Sequence, residues 1–433
     1  MEIPGVDSIL HKSIREVWEP TERSGSWDLA SAFDAIPGKF ELGRFPEALR
    51  QLDKIPLNAL QRSQAMRWWY LRGETYTGME QSRQAFECYD QALTIATEAS
   101  DLDSIVLLAT SAGGALYDCQ ASTSAIDYYE VALDAWHAKA AEQIHPRPEP
   151  EVTLMTNLCR QLWIVGRFED AQNKLAPALT LAMRARGVTH TPALDRMTAN
   201  GLWMLSLILR SASDMRDGDG GYLNTAIRRM RQAATLKRRL GTSDYEMARL
   251  YIQLAELYLD LAEVHRLYGT EAAARPMRDQ GFHYADTASE YLKPTTDTAA
   301  KRMAQMTLLR DTIMSLRPQR ALPNELNEIE SALTHIEHEA AALNDTFGVA
   351  KAATLRGEWL LFLGKPDMAR EALEQAIAGL QTEGQGMATR AERLLRRVTN
   401  EPPPGGRWRP SGGPIPERLE DPGSFDLDDD ARN

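Results

Sequence analysis

Aromatic residues are scarce in this sequence, 7% of 433, and cysteines number only three. Cys88, Cys119 and Cys159 are odd in number and form no CxxC pair, so neither a disulfide framework nor a zinc site is indicated. They read as buried thiols of a reducing compartment. No run approaches the roughly 18 consecutive apolar residues of a membrane helix. The opening MEIPGVDSILHKSIREVWEP has no apolar core of the kind that marks a signal peptide. Alternating β-branched runs joined by hairpin turns are missing as well, which excludes a sandwich or barrel. Positive charge is outweighed. The net charge of −12 excludes general nucleic-acid or anionic-membrane binding, both of which need a positive surface. A cytoplasmic, all-helical protein is expected.

Repetition is what the chain has in quantity. GRFPEALRQL (Gly43 to Leu52), GRFEDAQNKL (Gly166 to Leu175) and GKPDMAREAL (Gly364 to Leu373) each place an alanine five residues after glycine and a leucine four after that. Upstream, Gly73 precedes Ala85 by twelve residues, with Trp69 four before it, Tyr76 three after it, and Tyr89 and Ala92 beyond Ala85. The same spacing gives Gly113, Leu116, Ala125, Tyr129 and Ala132, then Cys159, Leu162, Ala171, Leu175 and Ala178. It returns as Gly357, Leu360, Ala369, Leu373 and Ala376. Small residues at the glycine and alanine slots let two helices approach closely, and large ones fill the space between units. Cys159 in a glycine slot is then a packing residue.

This pattern resembles the tetratricopeptide repeat, a helix–turn–helix with W-x2-L-G-x2-Y…A-x3-F spacing. The resemblance covers residues near 29–55, 66–97, 106–138, 152–185 and 350–381. It implies an all-α, right-handed superhelical solenoid of antiparallel helix pairs. The repeats are uneven, since the alanine slot moves from 85 to 125 to 171. Between 190 and 345 the helical period persists without the consensus. It predicts helices near 193–213, 222–240, 244–267, 271–292, 296–316 and 323–343. The expected organisation is an N-terminal helix and lead-in (1–28), repeats (29–190), divergent long helix pairs (191–345), and a repeat with a capping helix (346–400). A Pro/Gly-rich acidic tail (401–433) should be disordered, with twelve Pro or Gly among its 33 residues. The capping helix GMATRAERLLRRV should turn its basic residues outward.

Chemistry is hard to find. HIEHE (His335 to Glu339) inverts the zincin order, and His335 and Glu339 read as a helix-surface pair. RDGDGGY (Arg216 to Tyr222) lacks a calcium loop's closing glutamate and a phosphate loop's lysine, so it reads as a flexible connector. With no nucleophile setting, an enzyme is not expected, nor any metal or cofactor. The segment 222–240 carries six basic residues and no acid. Arg228, Arg231, Arg238 and Arg239 fall on one side of that helix. They form either a solvated face or a dock for an anion or acidic peptide, including the chain's own FDLDDD tail.

The resemblance implies that a protein or peptide partner lies against the concave side. Helix-A residues at −3, +1 and +4 from the glycine slot would meet it. These are Tyr70, Glu74 and Thr77; Thr110, Gly114 and Tyr117; and Thr156, Arg160 and Trp163. Tyr70, Tyr117 and Trp163 would be anchors, beside Glu74, and Arg160 could pair a carboxylate; the alternative is that some of them, Trp163 above all, pack against a neighbouring repeat. Chaperone-tail binders of the family use a clamp of lysines and asparagines that these positions do not supply. A partner-binding scaffold is the leading expectation. A regulatory sensor, or an accessory subunit of an enzyme encoded elsewhere, is the alternative. Residues 1–40 show no helix-turn-helix for such a sensor.

Overall fold

The computed structural model describes residues 27–141, 148–187, 191–316 and 321–402. Seventeen α-helices and no strand occur among them. Sixteen form consecutive antiparallel pairs: α1 (Trp27–Glu41) with α2 (Phe45–Leu52), α3 (Arg62–Gly78) with α4 (Ser82–Ala99), α5 (Leu102–Asp118) with α6 (Ser122–Ala141), and α7 (Pro148–Ile164) with α8 (Phe168–Arg186). Next come α9 (Pro192–Asp214) with α10 (Gly220–Arg239), and α11 (Asp244–Tyr268) with α12 (Glu271–Leu292). The last pairs are α13 (Thr298–Ser315) with α14 (Pro323–Ala342), and α15 (Thr346–Phe362) with α16 (Pro366–Gln381). A single helix, α17 (Gln385–Thr399), ends the array. The pairs stack as a right-handed tetratricopeptide-like solenoid. The lead-in before Trp27 and the tail from Pro403 lie outside the described residues.

The repeated phrase marks the turn within a pair. Gly43, Gly166 and Gly364 have left-handed φ of 67°, 82° and 70°. The next N–H bonds a carbonyl five residues back: Arg44 to Lys39 at 2.9 Å, Arg167 to Leu162 at 2.7 Å, Lys365 to Leu360 at 2.9 Å. That bond satisfies a carbonyl the ending helix would leave orphaned. Two further pairs make the same turn without glycine. Glu80 and Gln120 both have φ of 58°, with Gln81 bonding Tyr76 and Ala121 bonding Leu116, each at 2.9 Å. Five residues after each left-handed position an alanine is fully buried: Ala48, Ala85, Ala125, Ala171 and Ala369.

The glycine slots are close crossings, as their spacing implies. A Cβ on Gly73 would stand 2.5 Å from the Tyr89 ring, one on Gly113 3.0 Å from Tyr129, and one on Gly357 2.6 Å from Leu373. Cys159 fills the same slot in α7, its Sγ 3.2 Å from the carbonyl of Ala171. Burial pushes that thiol up to about 12, which leaves it unreactive near neutral pH.

The middle helices fall where the periodicity predicts them. The consensus fades there because α9, α10, α11 and α12 are long, at 23, 20, 25 and 22 residues. α11 is buried almost without interruption from Met247 to Val264, so it has no solvent face. It is the central post of the C-terminal half.

Two expectations fail here. The basic residues of α17 turn inward: Arg393 is fully buried, and Arg390 and Arg397 are half-buried. They do so because α11 presents buried carboxylates to them. The loop RDGDGGY is no free connector. Asp217 receives Arg397 Nε at 2.9 Å and the Tyr268 hydroxyl at 2.5 Å, while Asp219 caps α10 through Gly221 N at 2.8 Å.

Candidate functional site

Side chains from α9, α11, α13 and α15, the first helices of successive pairs, converge on one region. That convergence identifies the inner side of the solenoid, and α17 lies across it. Asp260 of α11 sits at the centre. It accepts from Arg210 Nε of α9 at 2.8 Å and from Arg310 Nη2 of α13 at 2.7 Å. Arg310 also faces Glu358 of α15 at 3.4 Å, and Arg390 of α17 bonds the same Glu358. Arg393 donates to Glu263 at 2.9 Å and stands 3.3 Å from Asp214.

Burial alone would raise the carboxyls of Asp214, Glu256, Asp260 and Glu263, because a low-dielectric site disfavours their charge. Arginine outweighs burial in most of them. Glu256 is held down to about 2, chiefly by Arg210, and Asp260 and Glu263 are likewise well below the usual carboxylate range. Asp214 is the exception: burial prevails over Arg393, and its carboxyl is raised.

α17 also reaches the N-terminal half. Trp163 Nε1 of α7 donates to Ser211 Oγ at 2.9 Å, and that hydroxyl donates to the carbonyl of Gly386 at 3.2 Å. Thr389 Oγ1 donates to Asp214 at 2.9 Å, and Arg396 Nη2 to the Asp214 carbonyl at 2.8 Å. A Cβ on Gly386 would lie 2.1 Å from the Trp163 indole, so only glycine permits this approach.

These contacts redistribute the expected partner-binding residues. Trp163 is 6% exposed and Tyr70 2%, so neither is an exposed anchor. Trp163 is committed to α9 and α17. Tyr70 packs on the Tyr89 ring at 6.1 Å, and the Tyr89 hydroxyl donates to Glu74 at 2.6 Å. Tyr117 and Arg160, both half-buried, are brought together with the guanidinium 5.7 Å above the phenol ring. Arg160 Nε and Nη2 meet no acceptor among the described residues.

The basic helix is α10. Arg231, Arg238 and Arg239 are exposed and Arg228 half-buried. Arg238 Nη2 donates to the Tyr251 hydroxyl at 2.6 Å, and Tyr251 stacks with Tyr284 at 5.8 Å. Arg238 therefore leans on a tyrosine cluster between α11 and α12. The acidic FDLDDD segment that could meet this helix lies outside the described residues. His335 and Glu339 stand 3.5 Å apart on an exposed face of α14.

Sequence reasoning missed the buried charges. The signal was there in QLAELYLDLAEV, where Glu256, Asp260 and Glu263 interrupt a helix that has no other polar face. Arg390, Arg393 and Arg397 repeat nearly that spacing on α17.

No helix among the described residues is long and apolar enough to cross a membrane. The family model of the tetratricopeptide repeat matches residues 67–98, which span α3 and α4. No curated protein matches the sequence. The fold is similar to that of the apo quorum sensor NprR from B. thuringiensis. That match has 12% identity and a TM-score of 0.53, and covers 86% of this chain and 93% of that one. It is also similar to a signal transduction ATPase with numerous domains from Pyrococcus horikoshii, which carries a tetratricopeptide repeat sensor. There the identity is 12% and the TM-score 0.51, over 73% of this chain and 43% of that one. At such identities the likeness is one of fold. A repeat matched over α3 and α4, five turns of one geometry and glycine crossings within successive helix pairs give this chain the architecture of a tetratricopeptide-like solenoid.

Proposed function

We propose that the chain is a non-catalytic scaffold that takes a peptide segment of a protein partner on the inner faces of α3, α5 and α7. Arg160 carries this reading. Its guanidinium is stacked over Tyr117 and two of its nitrogens meet no acceptor among the described residues. A stacked, pre-oriented arginine loses little entropy when it receives a carboxylate. Glu74, half-buried on the neighbouring pair, would read a backbone N–H or a basic side chain of the same peptide. Tyr117 supplies the aromatic surface between them.

A sensor role is the second reading, and α17 favours it. The apolar face of this helix packs on α15 and α16, but its contacts to α7, α9 and α11 across the groove are largely charge and hydrogen bonds, with which a partner in the groove can compete. The fold likeness to a quorum sensor and to a repeat sensor agrees with that reading at the level of architecture. A cytoplasmic location belongs to the same proposal.

Selection from a displayed random-peptide library on the full chain tests the site. Selected peptides should bind one to one by calorimetry and weaken at least tenfold with Arg160→Glu, and less with Tyr117→Ala. Peptides that bind both variants as tightly as the wild type would remove the groove from the reading. A library that yields no binder would remove the peptide.

A further inference from the structure

A cavity of about 350 Å³ opens between α9, α11, α13, α15 and the start of α17. Its volume falls in the range of small-molecule sites, roughly 300–1,000 Å³. Part of its wall is apolar, formed by Met303, Met306, Met387 and Phe347. Its polar part includes two side chains, Trp203 and Arg302, with N–H groups that lack acceptors among the described residues. Trp203 is 1% exposed, and its indole Nε1 meets no acceptor among the described residues. Arg302 is 3% exposed, and its Nε and Nη1 are likewise without acceptors.

Both donors are fixed in place. Arg302 bonds through Nη2 to Asp345, and Asp345 in turn caps α15 by accepting from Gly348 N at 2.8 Å. The Arg249 guanidinium lies over the Trp203 ring at 5.4 Å, stiffening the indole from the side. Buried donors without partners are costly, so a folded protein rarely keeps three on the side chains that line one cavity. A ligand that brings acceptors removes that cost.

From this juxtaposition we infer that the cavity is a binding site for a small organic monocarboxylate with an apolar body. The carboxylate would meet Trp203 Nε1 and the Arg302 guanidinium, and the apolar part would lie on the methionines. A doubly charged phosphate fits less well, because Asp345 and Glu383 also line the cavity and would repel the second charge. The inference is independent of the peptide reading, since none of these residues belongs to α3, α5 or α7. A free acid and the C-terminal residue of a peptide share the same chemistry, and the test separates them.

Calorimetry on the full chain uses indole-3-propionate and decanoate, each against its uncharged amide. A second arm uses a tetrapeptide ending in leucine, with a free and an amidated C-terminus. One equivalent of at least one acid should bind, and its amide at least tenfold more weakly. Trp203→Phe keeps the ring and deletes the donor, and should weaken binding about tenfold. Met303→Trp fills the cavity and should abolish binding, with an unchanged circular dichroism spectrum confirming that the fold is intact. Binding of the free-ended tetrapeptide without either short acid would assign the carboxylate to a chain end. Amides that bind as tightly as acids would overturn the inference. So would binding that survives Met303→Trp, or no binding by any probe, which leaves a cavity filled by solvent.

Discussion

At position 120 a glutamine holds a backbone conformation that Gly43, Gly166 and Gly364 adopt at the same place in other repeats. A side chain in the left-handed region costs roughly 1–2 kcal/mol, while glycine gives back part of that through its freer unfolded chain. Gln120→Gly should therefore stabilise the protein by about 0.5–1 kcal/mol, read as a higher urea midpoint at unchanged slope. A lower midpoint would show that the Gln120 side chain earns its place by contacts the turn does not need. The glycines of this turn could be read from the sequence because three copies preserve it. Glu80 and Gln120 could not, since an exposed turn tolerates the strain and the main-chain bond forms regardless of side chain. Whether Tyr70 and Trp163 are exposed anchors or packing residues could not be decided from the sequence, for another reason. Each is decided by a neighbour, Tyr89 in one case and Gly386 in the other, whose approach no local pattern announces.

Among the elements, α17 departs furthest from expectation. Taken alone, Arg390, Arg393 and Arg397 form a basic stripe on a short amphipathic helix, which ordinarily faces water. Their partners on α11 are far away in sequence: Arg393 and Glu263 are 130 residues apart. The pairing is visible only when Glu256, Asp260 and Glu263 are recognised as acids set in the buried, largely apolar stretch from Met247 to Val264 of α11. Helix positions and types could be read throughout, because they depend on local periodicity; which face of α17 is buried depends on the closure of the whole array. Gly386 is the tightest point of that closure. Gly386→Ala should force α17 from Trp163, since the indole is itself buried and hydrogen-bonded and has little room to move. The expected result is faster hydrogen exchange in α17 and around Trp163, with α3 and α4 unaffected. Unchanged exchange in α17 would mean that the indole gives way and the helix does not.

The molecule as a whole carries its charge lattice at its centre, so acid should act there first. Glu256, Asp260 and Glu263 have folded pKa values below those of the unfolded chain. Their contribution to stability is complete above the ordinary carboxylate range and is lost as pH falls through the folded values. Asp214 has the opposite sign: its raised carboxyl favours the folded state in acid and loses that contribution as pH rises through its folded value. Three groups outweigh one. The thermal midpoint should vary little from pH 8 to about 5 and fall steeply between about 4.5 and 2. A midpoint constant down to pH 2 would rule out the lattice as a source of stability. Salt should matter much less than pH, because buried pairs are poorly screened.

A solenoid is assembled from neighbours and can be built one pair at a time as the chain emerges. The cross-strut made by α17 breaks that economy. Ser211 meets Gly386 across 175 residues and Arg396 meets the Asp214 carbonyl across 182. The early pairs can fold before α17 is made, with Arg210 and Arg310 already reaching Asp260 while Glu263 still awaits Arg393. Closure by α17 must bring together segments far apart in the chain, which makes it slower than the pairing of neighbouring helices. Until then Asp214 lacks Arg393, and Glu263 lacks both Arg393 and Arg397.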